Sequence, residues 1–296
     1  MVSLFDDQAA GLRKLFSAAQ GPTSVAFAGP CGMHGTPGHN VLVADLARGL
    51  AAAGKEVLIL DEHAGADNIA AAFGLRSRYD LLQALNRDVP ASKVLLQAET
   101  AIRLLPAARA ARQYPRLDGM ERRALGEWLR RLQKGVDFSL VNAADHDEAD
   151  FSPLLPQPQR IVIAVPTDGP SITAAYALMK RLARRRDCRR FGIVVMRAAS
   201  RAEGHAVFAN LVEVASRHLG AELELLAVMT TQGASAGSGH PLVEAFLNPS
   251  CDSAESGFKA SEQNMRRNPQ GKCLPGTTHE HFLGRGRPRA RGASAA

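Results

Sequence analysis

Cysteine is scarce and scattered. Cys31, Cys188, Cys251 and Cys273 stand far apart with no CxxC pair among them, which excludes a disulfide framework and a metal knuckle and predicts reduced thiols in a cytosolic protein. No run approaches the roughly 20 apolar residues that cross a bilayer. Asp6 and Asp7 stand where a secretory leader needs a basic start, so neither export nor a membrane span is expected. The absence with most consequence is lysine. The stretch His34-Gly35-Thr36-Pro37-Gly38-His39-Asn40 follows the apolar run 24–28 and precedes the periodic segment 41–53. That is the place of a phosphate-binding loop, and no lysine is in it.

With 296 residues and 46% hydrophobic content, the chain can build one sizeable core with appendages. The formal charge of +7 is uneven: from Lys259 onward eight basic residues face only Glu262 and Glu280, so the rest is nearly neutral. A basic tail can hold nucleic acid or an anionic surface through salt-sensitive contacts. The plainer expectation is a solvated tail without order.

Strand-length apolar runs without strict alternation recur at 24–28, 56–60, 102–105, 138–141, 160–165, 191–195 and 223–228, as expected of strands buried on both faces. Helical segments lie between them at 41–53, 120–133, 171–185 and 202–219. In the last, Val207, Leu211, Val214, Ala215 and Leu219 are predicted to share one face. This alternation predicts an α/β fold with a mostly parallel sheet covered by helices on both faces. Residues 1–22 read as an N-terminal amphipathic helix with a Gly21-Pro22 break, and 23–231 as the folded domain. Residues 232–247 read as a Gly/Ser/Ala linker with a short helix at 241–247, and 248–296 as a basic tail too poor in periodic apolar residues to order.

In an open parallel sheet ligands bind beyond the carboxyl ends of the strands, here after Ala28, Leu60, Val141 and Val165. A loop ending in Gly-Lys-Ser/Thr works there because backbone N–H groups cradle phosphate, lysine neutralises the outer oxygens and the hydroxyl holds magnesium. Gly29, Gly32, Gly35 and Gly38 can still shape the turn. His39 replaces the lysine and Asn40 the hydroxyl, while Asp61-Glu62-His63 ends the second run and Asn142 stands where a metal-binding carboxylate belongs. Imidazole is largely neutral above about pH 7 and too short for a far phosphate. The expectation from these residues is a site that has lost magnesium-nucleotide hydrolysis: not an enzyme, with no cofactor and no metal. The competing reading is a site rebuilt with His34, His39, His63 and Asp61, whose imidazole and carboxylate groups suit zinc if they converge. Against it stands the bland reading of histidines at the rim of a loop-rich sheet end.

Residues 25–228 resemble the MinD/ParA superfamily of deviant Walker ATPases, a P-loop NTPase-like fold of three layers, and more closely its flagellar-number regulator branch, called FlhG or FleN. The family loop Lys-Gly-Gly-Val-Gly-Lys-Thr falls on His34 to Asn40, so both lysines are missing, including the one that reaches nucleotide across the family dimer. Residues 57–68 resemble the family Asp-x-Asp segment, with Asp61 kept and the second Asp replaced by His63. Residues 137–142 resemble the Walker B strand, with its Asp replaced by Asn142. Residues 171–180 resemble the flagellar branch, and the family Asn that reads adenine falls on Met196. The resemblance implies ATP and magnesium as the family's cofactors at His34, Gly35, Gly38, His39, Asn40, Asp61, His63, Asn142 and Met196, all counted as positions of a degenerate site.

The same branch begins with an Asp-Gln-Ala-x-x-Leu-Arg helix that stimulates the signal-recognition-type GTPase called FlhF, and Asp7-Gln8-Ala9-Ala10-Gly11-Leu12-Arg13 keeps that pattern. The resemblance implies that Gln8 helps order the partner's catalytic water, with Asp7, Ala9, Leu12 and Arg13 completing the activating set. A side-chain amide can do this because it both donates and accepts. The membrane-reaching helix that usually ends family members is broken here by Asn268-Pro269, Pro275-Gly276 and Gly284-Arg285-Gly286. The function expected is a non-hydrolysing regulator of flagellar number or placement, cytoplasmic or recruited by partners to a cell pole or the inner membrane face. Its partner is an FlhF-like GTPase; a homodimer and weak membrane contact by the tail stay open, and nucleic acid is not expected. Two alternatives remain beside it: a weakly ATP-binding or hydrolysing positioning ATPase, and a scaffold binding nucleic acid or a cell pole through its tail.

Overall fold

All seven apolar runs form strands, and the seven are mutually parallel. In the computed structural model the described residues are 21–29, 37–63, 65, 68–143, 151–155, 157–231 and 241–248. The strands are β1 Thr23–Ala28, β2 Val57–Asp61, β3 Leu96–Glu99, β4 Ile102–Pro106, β5 Phe138–Asn142, β6 Arg160–Pro166, β7 Arg190–Ala198 and β8 Glu222–Thr230. They lie in the order β3-β4-β2-β5-β1-β6-β7-β8. Only the edge strand β3, which the sequence reading did not find, runs antiparallel, against β4. Its four residues alternate half-buried and exposed, too short and too polar a pattern to announce a strand.

The helices are α1 Pro37–Ala52, α2 Ile69–Ala72, α3 Leu81–Leu85, α4 Ala108–Gln113, α5 Gly119–Leu132, α6 Gly169–Arg186, α7 Arg201–Leu219 and α8 Pro241–Leu247. Their starts carry the expected chemistry: Asp118 and Glu121 form a reciprocal capping box on α5, and the Asp168 and Ser200 side chains accept from backbone N–H groups of α6 and α7. Gly220, at φ 58°, closes α7 in the left-handed region that glycine enters without a Cβ penalty.

The central strands do not alternate in hydrophobicity because both faces are covered. Val25 and Phe27 of β1 enter one apolar cluster with Leu42, Leu46 and Leu50 of α1 and Val243 and Phe246 of α8. Ala26 and Ala28 enter the other, with Leu125 of α5, Leu178 of α6 and Leu211 of α7. The period of two thus sorts residues between two buried faces rather than between core and water. On α7 the shared face is narrower than predicted. Leu211 and Ala215 are buried, but Val214 is 42% exposed, because one residue turns the helix by about 100° away from Ala215.

Helix α8 packs into the core directly. The Phe246 ring lies 6.3 Å from that of Phe27, and the Arg160 guanidinium stands 5.3 Å from the centre of the Phe246 ring. Val243 crosses α1 at Gly49, where an added Cβ would stand 2.3 Å from a Val243 methyl. The expected N-terminal helix, the first part of the glycine loop with His34 and Gly35, the linker at 232–239 and the basic tail beyond 248 lie outside the described residues.

Candidate functional site

The carboxyl ends of β1, β2 and β5 meet the first turn of α1. Parallel pairing sets Asp61 and Phe27 on either side of Asn142 in register, so the end of β5 stands between the other two strands. Pro37 opens α1, a position where its missing N–H costs nothing, and His39 and Asn40 follow in that turn. Gly38 is needed for close approach: a Cβ there would come within 2.7 Å of the terminal methyl of Met196. Met196, at the end of β7, is buried against the helix start.

Asn142, 1% exposed, is the hub. Its Nδ2 donates to Asp61 Oδ1 at 2.8 Å and to Asn40 Oδ1 at 3.1 Å, and its Oδ1 accepts from His39 Nε2 at 2.9 Å. This pattern requires the His39 ring proton on Nε2. Asp61 also accepts from the backbone N–H of His63 at 3.2 Å and of Ile69 at 2.9 Å. Burial pushes its carboxyl up to about 6, and the Asn142, Ile69 and His63 hydrogen bonds hold it from going further. A second carboxylate in place of Asn142 would face Asp61 at hydrogen-bond distance and need a shared proton or a cation. The amide removes that requirement.

Of the residues singled out in the sequence, the structure gathers Gly38, His39, Asn40, Asp61, Asn142 and Met196 around the start of α1. His63 is placed otherwise: with Asp61 it lines a cleft of 240 Å³ on the far side of β2. His34, Gly35 and Asp7 to Arg13 lie outside the described residues. Among the described residues no three His, Cys, Asp or Glu side chains gather as a metal-ligand group. Glu62, missed in the sequence reading, is also buried, and its Oε1 accepts from the Ser152 hydroxyl at 3.1 Å.

Comparison with known proteins places this geometry. No family model matches the chain. It is 28% identical over 198 residues to the antiactivator FleN of Pseudomonas aeruginosa, covering 67% of this chain and 71% of that protein. It is 25% identical over 193 residues to the flagellum site-determining protein YlxH of Helicobacter pylori, covering 64% of each. Its fold matches MinD in the MinC:MinD cell division complex of Aquifex aeolicus, with a TM-score of 0.53 at 22% identity over 86% of this chain and 98% of that one. The chain shares the fold of MinD and plasmid partition proteins. The expected P-loop NTPase-like fold of three layers is therefore present.

The expectation that the chain is not an enzyme is overturned by these relatives. The fold it shares is also that of the Pyrococcus furiosus cell division ATPase MinD, with a TM-score of 0.53 at 17% identity over 83% of this chain and 99% of that one. It is also the fold of a cobyrinic acid a,c-diamide synthase from Mycobacterium smegmatis bound to ADP and magnesium, with a TM-score of 0.55 at 18% identity over 77% of this chain and 94% of that one. Among the described residues no helix is long and apolar enough to cross a membrane.

Proposed function

We propose that the chain is a MinD/ParA-type ATPase of low nucleotide affinity and slow turnover that acts in positioning, in the flagellar setting that the names FleN and YlxH supply. The observation carrying this reading is the convergence of Asn40 Oδ1 and Asp61 Oδ1 on one atom, Asn142 Nδ2, beside the start of α1. Both oxygens give a lone pair to that amide; those that remain on Asn40 and on the Asp61 carboxylate are hard donors that magnesium would take from one side, with phosphate oxygens and water completing its shell. The first turn of the 16-residue α1 supplies N–H groups and the positive end of its dipole to phosphate. Magnesium, were it held there, would supply positive charge against the phosphate oxygens. The chain's own residues hold Asp61 and Asn40 in place through Asn142, and His39, where the family has a lysine, gives its Nε2–H to Asn142 rather than to phosphate.

The missing lysine is the weak point. A charge-assisted contact is worth about 1.5–3 kcal/mol, so its absence costs roughly 10- to 150-fold in affinity. The test is calorimetric titration with magnesium-ATP together with phosphate release, on the full chain and on His39→Lys. Weak binding that tightens by that factor in the variant supports the reading. No binding to either protein at millimolar ATP refutes it.

The intact Asp7 to Arg13 pattern supports a finer role: stimulation of an FlhF-like GTPase by Gln8, with recruitment to a pole or the inner membrane face through partners. Gln8→Ala should abolish that stimulation and leave ATP affinity unchanged. Undiminished stimulation would remove the flagellar assignment while leaving the ATPase reading standing.

A further inference from the structure

Beyond β2 from the α1 network, the 240 Å³ cleft is walled by Arg78, Tyr79, Asp80, Arg109 and Arg112, with Asp61 at its inner end. We propose that it is a docking site for a carboxylate-rich segment of a partner protein. The argument begins with Asp80, which has the position to neutralise the arginines but is committed elsewhere. Its Oδ1 accepts the N–H groups of Leu82 at 3.0 Å and Ala110 at 3.2 Å, and its Oδ2 accepts the N–H of Arg109 at 3.0 Å. One buried carboxylate thus ties the start of α3 to the start of α4 and fixes the walls of the cleft.

The arginines are left to the solvent. Arg78, Arg109 and Arg112 are exposed and form no ion pair among the described residues. Arg78 stands 5.5 Å over the Tyr79 ring, which holds its guanidinium at the rim. Elsewhere arginines do find acids: Arg48 bonds Asp45 and Glu99, and Arg160 bonds Glu224. The bias extends past the cleft, since residues 76–134 hold thirteen Lys and Arg against six Asp and Glu. A surface of that sign attracts an acidic partner and speeds its encounter.

Shape selects the partner's chemistry. Three guanidinium forks around a side-chain-sized hollow match planar carboxylates two oxygens at a time. A nucleic-acid backbone asks instead for an extended row of cations, which three arginines around one hollow do not make. A lone small anion gains little at exposed arginines that water screens. Several carboxylates on one segment gain cooperatively because the chain linking them is held once. The site does not depend on ATP turnover, although Asp61 gives it a wall in common with the nucleotide site.

The experiment measures anisotropy of a fluorescein-labelled peptide, Gly-Glu-Glu-Gly-Glu-Glu-Gly, with the full chain at low salt. Saturable binding is expected, weakened about 5- to 30-fold when Arg109→Ala and Arg112→Ala are combined, the range for two ion pairs open to solvent. The same charge removed on the exposed side of α5, by Arg130→Ala with Arg131→Ala, should change affinity less than about twofold. Urea unfolding of both variants checks that each remains folded, and Arg109→Lys with Arg112→Lys provides a gentler second pair that should still weaken binding, because lysine lacks the fork. Equal loss in the cleft and α5 pairs would overturn the site, as would absence of saturable binding. A duplex DNA that binds in place of the peptide and is lost with Arg109 and Arg112 would overturn the assigned chemistry.

Discussion

Asp61 should make this protein less stable as the solution moves from acid toward neutrality. Its carboxyl rises from an ordinary 3.8 to about 6 in the fold. An acid whose folded value is raised binds its proton more tightly when folded, so its favourable contribution is complete below about pH 4 and is lost as pH climbs through about 6. A shift of some two units corresponds to about 3 kcal/mol, a large share of the 5–15 kcal/mol typical of a domain. Asp61→Asn removes the titration and keeps one oxygen to accept from the Ile69 N–H. The assay is urea unfolding of both proteins in half-unit steps from pH 4 to 7.5, taking the stability difference at each pH so that the other carboxylates cancel. The difference should move in favour of the variant by about 3 kcal/mol across that window, most steeply between about pH 4 and 6. A difference flat with pH would show that Asp61 keeps an ordinary carboxyl and that its burial is not as described. A difference moving the opposite way would mean that its hydrogen bonds outweigh its desolvation.

Three further outcomes follow from the packing and the site. Gly49→Ala should cost about 1–3 kcal/mol by forcing a Cβ into Val243, with Val243→Ala recovering part of it in the double variant; additive losses would mean that α8 does not press on α1 there. Phe246→Ala should cost about 3–5 kcal/mol in chemical unfolding, whereas a loss under about 1 kcal/mol would mean that α8 is not part of the core. Asp80→Ala should cost more than Asp168→Ala, because Asp80 is buried and serves three N–H groups on two helices, while Asp168 caps α6 in the open. An exposed cap is worth roughly 1 kcal/mol, and equal losses would contradict the tie between α3 and α4.

The central strands and long helices were legible because their signals are local. Runs such as residues 161–165 have no polar interruption, and α1, α5, α6 and α7 show helical spacing over three turns or more. Helices α2, α3 and α4 were not legible, being four to six residues long and held by caps from Asn68 and Asp80 rather than by periodicity. The site was half legible. His39, Asn40, Asp61 and Asn142 stood out through their places after strands, but their joining at one amide depends on the register of β2 with β5, which no linear pattern encodes. His63 stands two residues beyond Asp61, gives its backbone N–H to that carboxylate and lines the cleft beside β2 with it, a placement that sequence spacing alone does not convey. The cleft left one trace, the basic excess of residues 76–134, which the stronger charge of the tail concealed in the overall balance.

Calorimetric titration of magnesium-ATP into the full chain, repeated with His39→Lys, tests the central reading most directly. The account predicts weak saturable binding that tightens roughly 10- to 150-fold in the variant, accompanied by slow magnesium-dependent phosphate release. Absence of heat and of turnover in both proteins at millimolar ATP would contradict it.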